Sequence, residues 1–225
     1  MESWRGRMNP KTRYTNEMRK SRQNRRLAIL EAAEHVFTMK GIERTTMQEI
    51  ANLANLGIAT VFRYFPKKEK LIVAVVTKKL GLVLEAFSSI AALPISSLEK
   101  LEKMFDSLIL LNDKKDSTIV KLLEDFDNYA AHLTEPLEDM EDFNSVYKKI
   151  SNVFSTIIEQ GMKDHSIRSD FPIPETLTTV INTFGIFSRK LSLQKNILTL
   201  EPDLAPERQL VILKHILLNY LENPS

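Results

Sequence analysis

Apolar residues recur every three or four positions along most of the chain, which is the spacing of helices that bury one face. Leu30, Ala33 and Phe37 show this spacing near the start of the chain. No segment alternates apolar and polar residues in the way of a half-buried strand. The pattern predicts an all-α chain of about nine helices, at residues 25–40, 47–54, 58–65, 69–90, 96–108, 119–133, 140–157, 174–195 and 206–222.

Two of the predicted helix starts carry a capping box. Thr46 is followed three positions later by Glu49, and Ser96 by Glu99. In this arrangement the hydroxyl and the carboxylate each accept a backbone N–H that the helix leaves unpaired. The two signals therefore fix the starts of the second and fifth helices.

The chain has 225 residues, 43% of them apolar and 27% charged, which suits one large or two modest globular domains. It has no Cys, so disulfides, zinc–thiolate sites and cysteine nucleophiles are excluded, and a reducing cytoplasmic setting fits. No apolar stretch reaches the ~20 residues of a membrane helix, and charges interrupt the start where a signal peptide would lie. We therefore expect no membrane association.

Positive charge is concentrated in the first third of the chain. Residues 1–80 hold 17 Lys and Arg against 7 Asp and Glu, whereas residues 81–225 hold 14 against 22. This split favours a nucleic-acid contact at one end, and a basic tail that only aids solubility is the alternative. Residues 1–24 are basic without apolar periodicity. We expect them to form a flexible arm that either lies along DNA or stays free in solution.

The two short predicted helices at 47–54 and 58–65 lie next to this arm. A pair of short helices with so short a link is typical of a helix-turn-helix, whose second helix enters the major groove of DNA. The pair alone is a weak signal, because short amphipathic helices are common in α-proteins. Its position inside the basic segment strengthens the DNA-binding interpretation.

The run TTMQEIANLANLGIATVFRYFPKKEKLI, from Thr45 to Ile72, resembles the DNA-binding domain of the TetR family of bacterial transcriptional regulators. Asn55 stands where the family usually has Gly in the turn, and Asn tolerates the left-handed backbone better than other residues with a side chain. Gly57 stands where the family often has a capping Ser or Thr. The shared positions are the capping Thr46, Ile50-Ala51, Tyr64-Phe65 and Lys68-Glu69.

This resemblance implies a homodimer that binds a palindromic operator, with its two recognition helices about 34–36 Å apart. A helix-turn-helix DNA-binding domain would span residues 25–68, and a helical regulatory and dimerisation domain residues 69–225. The last two helices would pack against their copies in the second subunit, although apolar stripes of this kind are also typical of an ordinary core. The stripes are Leu177, Ile181, Phe184 and Leu191 on one helix, and Leu210, Leu213, Leu217, Tyr220 and Leu221 on the other.

The second short helix carries two apolar rows, Val61 with Phe65 and Ile58 with Phe62. By the resemblance the first row packs inward, which leaves Phe62 to meet a thymine methyl or a sugar; packing against the long fourth helix is the alternative. We expect base contacts from Gln48, Thr60 and Arg63 together with Ile58, Ala59 and Phe62, and phosphate contacts from Thr46, Tyr64 and Lys68.

The resemblance also implies a small-molecule effector in the larger domain. The candidates are apolar positions on the helices that wall the pocket in that family, and they suggest an apolar ligand. Ordinary core packing is the alternative at each position, and Glu124 or Asp127, if turned inward, would favour a cationic ligand. The candidate ligand-binding residues are Phe105, Leu108, Phe126, Tyr129, Phe143, Tyr147, Phe154 and Phe184.

No catalytic motif is present in the sequence. It has neither a Gly-rich phosphate loop nor a Gly-x-Ser-x-Gly elbow, and none of its four His has a second His three or four positions away. Glu124, Asp125 and Asp127 near His132 are read as a solvated acidic face, not a metal site, because Asp125 and Asp127 point apart on a helix. We expect no enzymatic activity, no cofactor and no metal.

We therefore predict a cytoplasmic, ligand-responsive transcriptional regulator, in its simplest form a repressor released from its operator by a small apolar or amphipathic molecule. The alternative is an activator or DNA-organising protein of the same fold with no small ligand. A cavity in the larger domain would favour the first, and a fully packed domain the second. A membrane-surface protein is a distant third, since few apolar residues are interleaved with the charges of the arm.

Overall fold

The fold is seen in a computed structural model that describes residues 10–113, 118–194 and 205–223. Apart from helices, the described ranges contain one antiparallel bridge, between Ile167 and Glu222. The expectation of an all-α chain is confirmed. The nine helices of the described ranges are α1 (Pro10–Lys40), α2 (Met47–Leu53), α3 (Ile58–Tyr64), α4 (Lys68–Ala91), α5 (Ser97–Asp113), α6 (Thr118–Ala131), α7 (Glu141–Lys163), α8 (Ile173–Gln194) and α9 (Pro206–Leu221).

The first helix is longer than the hydrophobic pattern predicts. It begins at Pro10, so residues 10–24 are helical and do not form the flexible arm that their composition suggested. Residues 1–9 of that expected arm lie outside the described residues. The prediction considered only burial, whereas Arg, Lys, Glu and Met favour a helix even when exposed, and neither Pro nor Gly follows Pro10 until Gly41. Extending a helix that is already packed further along the chain also costs little.

Both predicted capping boxes are present. The Oγ of Thr46 accepts the N–H of Glu49, and the Glu49 carboxylate accepts the N–H of Thr46 at 2.9 Å. Ser96 and Glu99 repeat this exchange ahead of α5. Local sequence therefore sets these helix starts, whereas α7 continues to Lys163, beyond the end near residue 157 that the apolar pattern predicted.

The chain divides into two compact units between Val75 and Val76, which we call the head (residues up to 75) and the body (residues from 76). The boundary lies beyond the expected residue 68 because the first turns of α4 belong to the head, where Leu71 and Ile72 are completely buried. The head core is drawn from α1 to α4 and the turns between them. It contains Ile29, Leu30, Ala33, Phe37, Ile42, Ile50, Ala51, Val61 and Phe65.

The body has its own core, formed mainly by α4, α5, α7, α8 and α9. Phe87 meets Phe154 edge to face, with ring centroids 5.3 Å apart, and Phe105 lies 4.8 Å from Phe184. Most members of the two stripes proposed for a dimer contact are part of this intramolecular core, and Tyr220 is the member that stays exposed. The core members are Leu177, Ile181, Phe184, Leu191, Leu210, Leu213, Leu217 and Leu221.

A buried ammonium group joins α9 to α5. Lys214 is only 7% exposed, and its Nζ donates to Glu102 Oε1 at 3.1 Å and to Asp106 Oδ1 at 2.8 Å. Burial disfavours the charged lysine, but the hydrogen bonds to Asp106 and Glu102 outweigh it and raise the pKa of Lys214. The lysine therefore stays charged, and it fixes the position of α9 on α5.

The segment between α7 and α8 is closed by main-chain bonds to the end of α9. The Arg168 N–H donates to the Leu221 carbonyl at 3.0 Å, and the Asn223 N–H donates to the Ser166 carbonyl at 3.2 Å. Ile167 lies between these bonds, is 1% exposed and packs directly on Gly161 of α7. A Cβ at position 161 would be 2.5 Å from the Cδ1 of Ile167, closer than atoms can approach.

We predict that Gly161→Ala destabilises the protein by about 1–3 kcal/mol, because the new methyl would meet the side chain of Ile167 and the Cβ of Ser97, both of which are buried. Gly81→Ala is the matched control, since a Cβ at this helical position meets nothing within 4 Å. That change should stabilise the protein by roughly 0.5–1 kcal/mol through the entropy of the unfolded chain. Urea denaturation of the three proteins measures both effects, and equal stability of the two variants would contradict the close contact at Gly161.

Candidate nucleic-acid interface and body cavity

The helices α2 and α3 are joined by a tight turn. Asn55 has a φ of 53°, in the left-handed region, as its place in the turn required. The Leu56 N–H donates to the Ala51 carbonyl at 3.0 Å and closes α2. Gly57 is the N-cap of α3 and provides no side-chain cap. The turn geometry predicted for a helix-turn-helix is therefore present.

Helix α3 buries one row of side chains and presents another. Val61 is completely buried and Phe65 is 4% exposed, whereas Phe62 is 45% exposed. The predicted inward row is thus confirmed, and Phe62 keeps nearly half of its surface exposed. Ala59 and Arg63 are also exposed, while Ile58, Thr60 and Tyr64 are half-buried. The guanidinium of Arg63 lies 5.9 Å from the ring centre of Tyr64.

Glu49 organises the start of α2. Its carboxylate accepts hydrogen bonds from the backbone N–H and the hydroxyl of Thr46, and it forms an ion pair with Lys40 at the end of α1. The Lys40 ammonium and the two Thr46 donors lower the pKa of Glu49 from 4.5 to about 2. The donors of Thr46 that were expected to meet a phosphate are therefore given to Glu49 in the free protein.

Two further expected DNA contacts also bind within the head. The Nζ of Lys68 donates to the carbonyl of Glu43 at 2.9 Å, which links the start of α4 to the turn before α2. Burial lowers the pKa of Lys68. Gln48 donates to Asn52 one turn further along α2, at 2.8 Å. The DNA-binding role of the nine candidate residues stays a prediction.

The body contains a cavity of about 320 Å³. Its wall is mostly apolar and is formed by residues of α4, α5, α6, α7 and α8. Seven of the eight ligand candidates line it, and Tyr129 is not among the lining residues. Phe126 and Phe143 lie side by side in this wall, with ring centroids 5.5 Å apart. The seven lining candidates are Phe105, Leu108, Phe126, Phe143, Tyr147, Phe154 and Phe184.

Sequence reasoning missed several residues of the wall. The long helix α4 contributes Leu80, Val83 and Phe87, and α8 contributes Ile181 and Gly185. Of these, Ile181 was placed in the apolar stripe of α8 and the other four were not singled out, since periodicity reports which face is buried and not whether the buried face is completely filled.

The polar part of the wall is electrically balanced. Asp127 of α6 lines the cavity and forms an ion pair with Arg189 of α8. Burial raises the pKa of Glu124, Asp125 raises it further, and Arg189 opposes both. Because Arg189 already compensates Asp127, the expectation that this carboxylate would favour a cationic ligand receives no support from the geometry.

Neither a metal cluster nor a membrane span is found in the described part of the chain. No group of three or more His, Asp or Glu side chains is arranged there to hold a metal ion. The described helices are also too short or too polar to cross a bilayer.

Comparison with known proteins identifies the head. Residues 29–75 match the model of the bacterial regulatory proteins of the tetR family. A curated relative, the HTH-type transcriptional repressor KstR2 of Rhodococcus jostii, is 22% identical over 152 residues, which cover 68% of this chain and 72% of that protein.

The fold is shared with solved structures over most of the chain. FadR from Bacillus subtilis in complex with stearoyl-CoA superposes with a TM-score of 0.69 at 16% identity, over 87% of this chain and 99% of that one. The Thermus thermophilus FadR, a TetR-family repressor in complex with lauroyl-CoA, gives a TM-score of 0.59 at 19% identity, over 89% and 96%.

A helix-turn-helix head followed by a larger helical body defines a class of DNA-binding transcriptional regulators. The match over residues 29–75 and the shared fold agree with the motif from Thr45 to Ile72. Residues 29–75 therefore form a DNA-binding domain of the TetR family of bacterial transcriptional regulators.

We predict that Glu49→Gln lowers the thermal stability at neutral pH and that its effect disappears in acid. A carboxylate whose pKa is lowered by folding stabilises the protein fully above its unfolded value of 4.5 and loses this contribution as the pH falls toward 2. Gln keeps the capping geometry but not the charge. Thermal unfolding of the wild type and the variant between pH 7 and pH 2 measures the difference, and Glu159→Gln, at an exposed carboxylate of α7, is the control. A difference that widens in acid would contradict this role of Glu49.

Proposed function

We propose that this protein is a repressor that binds a palindromic operator as a homodimer and leaves it when a small amphipathic molecule enters the body cavity. The cavity carries this proposal, because a regulator of the same fold without a ligand needs no unfilled space in its core. The proposed repressor acts in the cytoplasm, where bacterial DNA lies.

The exposed face of α3 supports reading of DNA in the major groove. An aromatic ring that is 45% exposed next to an exposed guanidinium suits a surface with both thymine methyls and guanine acceptors. Arg63 reaches base edges in this proposal, while Tyr64 and Lys68 meet phosphates on either side. Lys68 exchanges the Glu43 carbonyl for a phosphate, or uses a second donor of its ammonium group while keeping that bond.

Exposed apolar side chains on α9 support the homodimer. Ile212 and Ile216 are 57% and 59% exposed, and Tyr220, one further turn along, is 48% exposed. They lie at i, i+4 and i+8, so they share one face of the helix, opposite the leucines that enter the core. This face replaces the buried stripes as the proposed contact between subunits.

A long acyl chain is the effector class that the wall of the cavity suits best. The lining is apolar and aromatic over five helices, and the Asp127–Arg189 pair leaves no net charge there. An uncharged chain can bury its surface in such a site, whereas a charged group would have to break this pair. The FadR structures bound to stearoyl-CoA and lauroyl-CoA, which share the fold, add to this argument.

Helix α4 is the proposed connection between effector and DNA. It begins with Lys68 in the head and contributes Leu80, Val83 and Phe87 to the cavity wall. A ligand that pushes on these three side chains shifts the helix and so changes the spacing of the two heads in the dimer. The ligand can shift the equilibrium between the DNA-bound and the released conformation only by the ratio of its affinities for the two.

We predict that selection from random duplexes returns a two-fold symmetric site. Arg63→Ala should change the preferred bases and cost roughly 1–3 kcal/mol at the affected positions, because a guanidinium on guanine carries sequence information. Tyr64→Phe should weaken binding to all sites by a similar factor, because phosphate contacts carry none. Binding titrations on a set of single-base variants of the site separate the two outcomes, with Lys163→Ala in the body as the control. A selection without any consensus would contradict the proposed function.

We predict that stearoyl-CoA releases the protein from its labelled operator and that coenzyme A alone does not. Gly185→Leu should abolish this release while keeping operator affinity, because Gly185 lines the cavity and a side chain there would enter the open space. Gly81→Leu is the matched control, at an α4 glycine that also meets nothing within 4 Å but does not line the cavity. Fluorescence anisotropy of the operator measures the release.

Two results would narrow this proposal in different ways. If Gly185→Leu responds like the wild type, the effector does not occupy the cavity. If no acyl-CoA from lauroyl to stearoyl releases an operator that the protein does bind, the acyl class is wrong and the repressor remains.

A further inference from the structure

Residues 14–26 of α1 carry five basic side chains, Arg19, Lys20, Arg22, Arg25 and Arg26, and one acidic one, Glu17. These side chains are exposed. They belong to a continuous helix whose other end, residues 29–37, is packed in the head core. The charges are therefore held by the head on a preformed helix, and binding through them would not require a coil to become ordered.

The helical register determines which face of α1 carries these charges. Phe37, Ala33 and Leu30 form the buried row of α1, and steps of four and three residues continue the same row through Arg26, Arg22 and Arg19. The buried row of α1 thus becomes a row of arginines beyond the edge of the core. We call Arg19, Arg22 and Arg26 the arginine row.

A contact inside the head supports this direction. The guanidinium of Arg26 lies 5.5 Å from the ring centre of Phe65, the residue that ends α3. The first arginine beyond the core therefore lies beside the end of the recognition helix. The next two lie one and two turns further along α1, about 6 and 10 Å away at a rise of 1.5 Å per residue.

We infer that Arg19 and Arg22 bind the phosphate backbone just outside each half-site, beyond the bases that α3 contacts. This inference rests on the proposed DNA-binding function and extends it to flanking DNA. Duplex DNA fits better than an acidic protein because the row continues from Arg26, which lies beside Phe65 at the end of the recognition helix. Phosphate contacts of this kind add affinity and salt dependence without sequence preference.

The test compares two double variants of the full-length protein. Arg19→Ala with Arg22→Ala removes two charges from the row, and Lys20→Ala with Arg25→Ala removes two charges from other faces of the same helix segment. Ala is the best helix former, so α1 should persist in both variants, and circular dichroism checks this. The measured quantity is the slope of log affinity against log salt for the selected operator.

For the variant with Arg19→Ala and Arg22→Ala, which we call the row variant, we expect a slope about 3 to 4 smaller in magnitude than that of the wild type. Four phosphate contacts per dimer would be lost, and each contributes about 0.9. The control variant should change the slope by less than about 1. Operators extended by roughly five base pairs on each side should bind the wild type more tightly than short ones, whatever the added sequence, and should give the row variant no such gain.

Equal slopes for the two double variants would overturn the inference while leaving operator binding intact. A wild-type protein that selects no operator would instead remove the proposed function, and this inference with it. A slope that falls equally in both variants would mean that the helix acts through its total charge and not through the arginine row.

Discussion

The surface that we propose reads DNA depends on the burial of Val61 and Phe65. A helix of seven residues is too short to be stable alone, because nucleation costs more than its few hydrogen bonds return. Helix α3 is therefore stable only because these two side chains are buried in the head core. Their burial also fixes its rotation, since burying one row forces Phe62 and Arg63 to the outside. Stability and specificity of the head are set by the same contact.

In the body, unlike the head, the feature proposed to carry function is a gap in the packing. Leu101, Ile157 and Leu210, from α5, α7 and α9, are almost completely buried in the body core, but other residues of α5 and α7 line a cavity together with α4, α6 and α8. Protein interiors are normally as dense as organic crystals, so a cavity of about 320 Å³ is a local departure from the rule. The surrounding contacts, including the buried charge of Lys214, must stabilise the body enough to keep this space open.

Local features of the fold were predictable from the sequence and non-local ones were not. The Thr46–Glu49 capping box and the left-handed Asn55 each depend on residues within a few positions of one another, whereas the inward row of α3 was predicted from the resemblance to the TetR family. The length of α1 was not predictable from burial, because its first half is exposed. The cavity and the Asp127–Arg189 pair depend on how distant helices meet, and a linear pattern contains no measure of the gap between them. The DNA-binding and ligand-binding roles were not predictable from local sequence either, since each depends on a second molecule.

The ion triad of α5 and α9 has a consequence for how this sequence can drift over generations. Glu102 and Asp106 keep nearly half of their side-chain surface in water, whereas Lys214 keeps 9%. If the two acids were lost first, a buried ammonium would remain without a counter-charge, which is costly. If the lysine is replaced first by an apolar residue, the acids remain solvated and repel each other only weakly. Substitutions at these three positions should therefore accumulate in a fixed order, with the lysine changing before both acids.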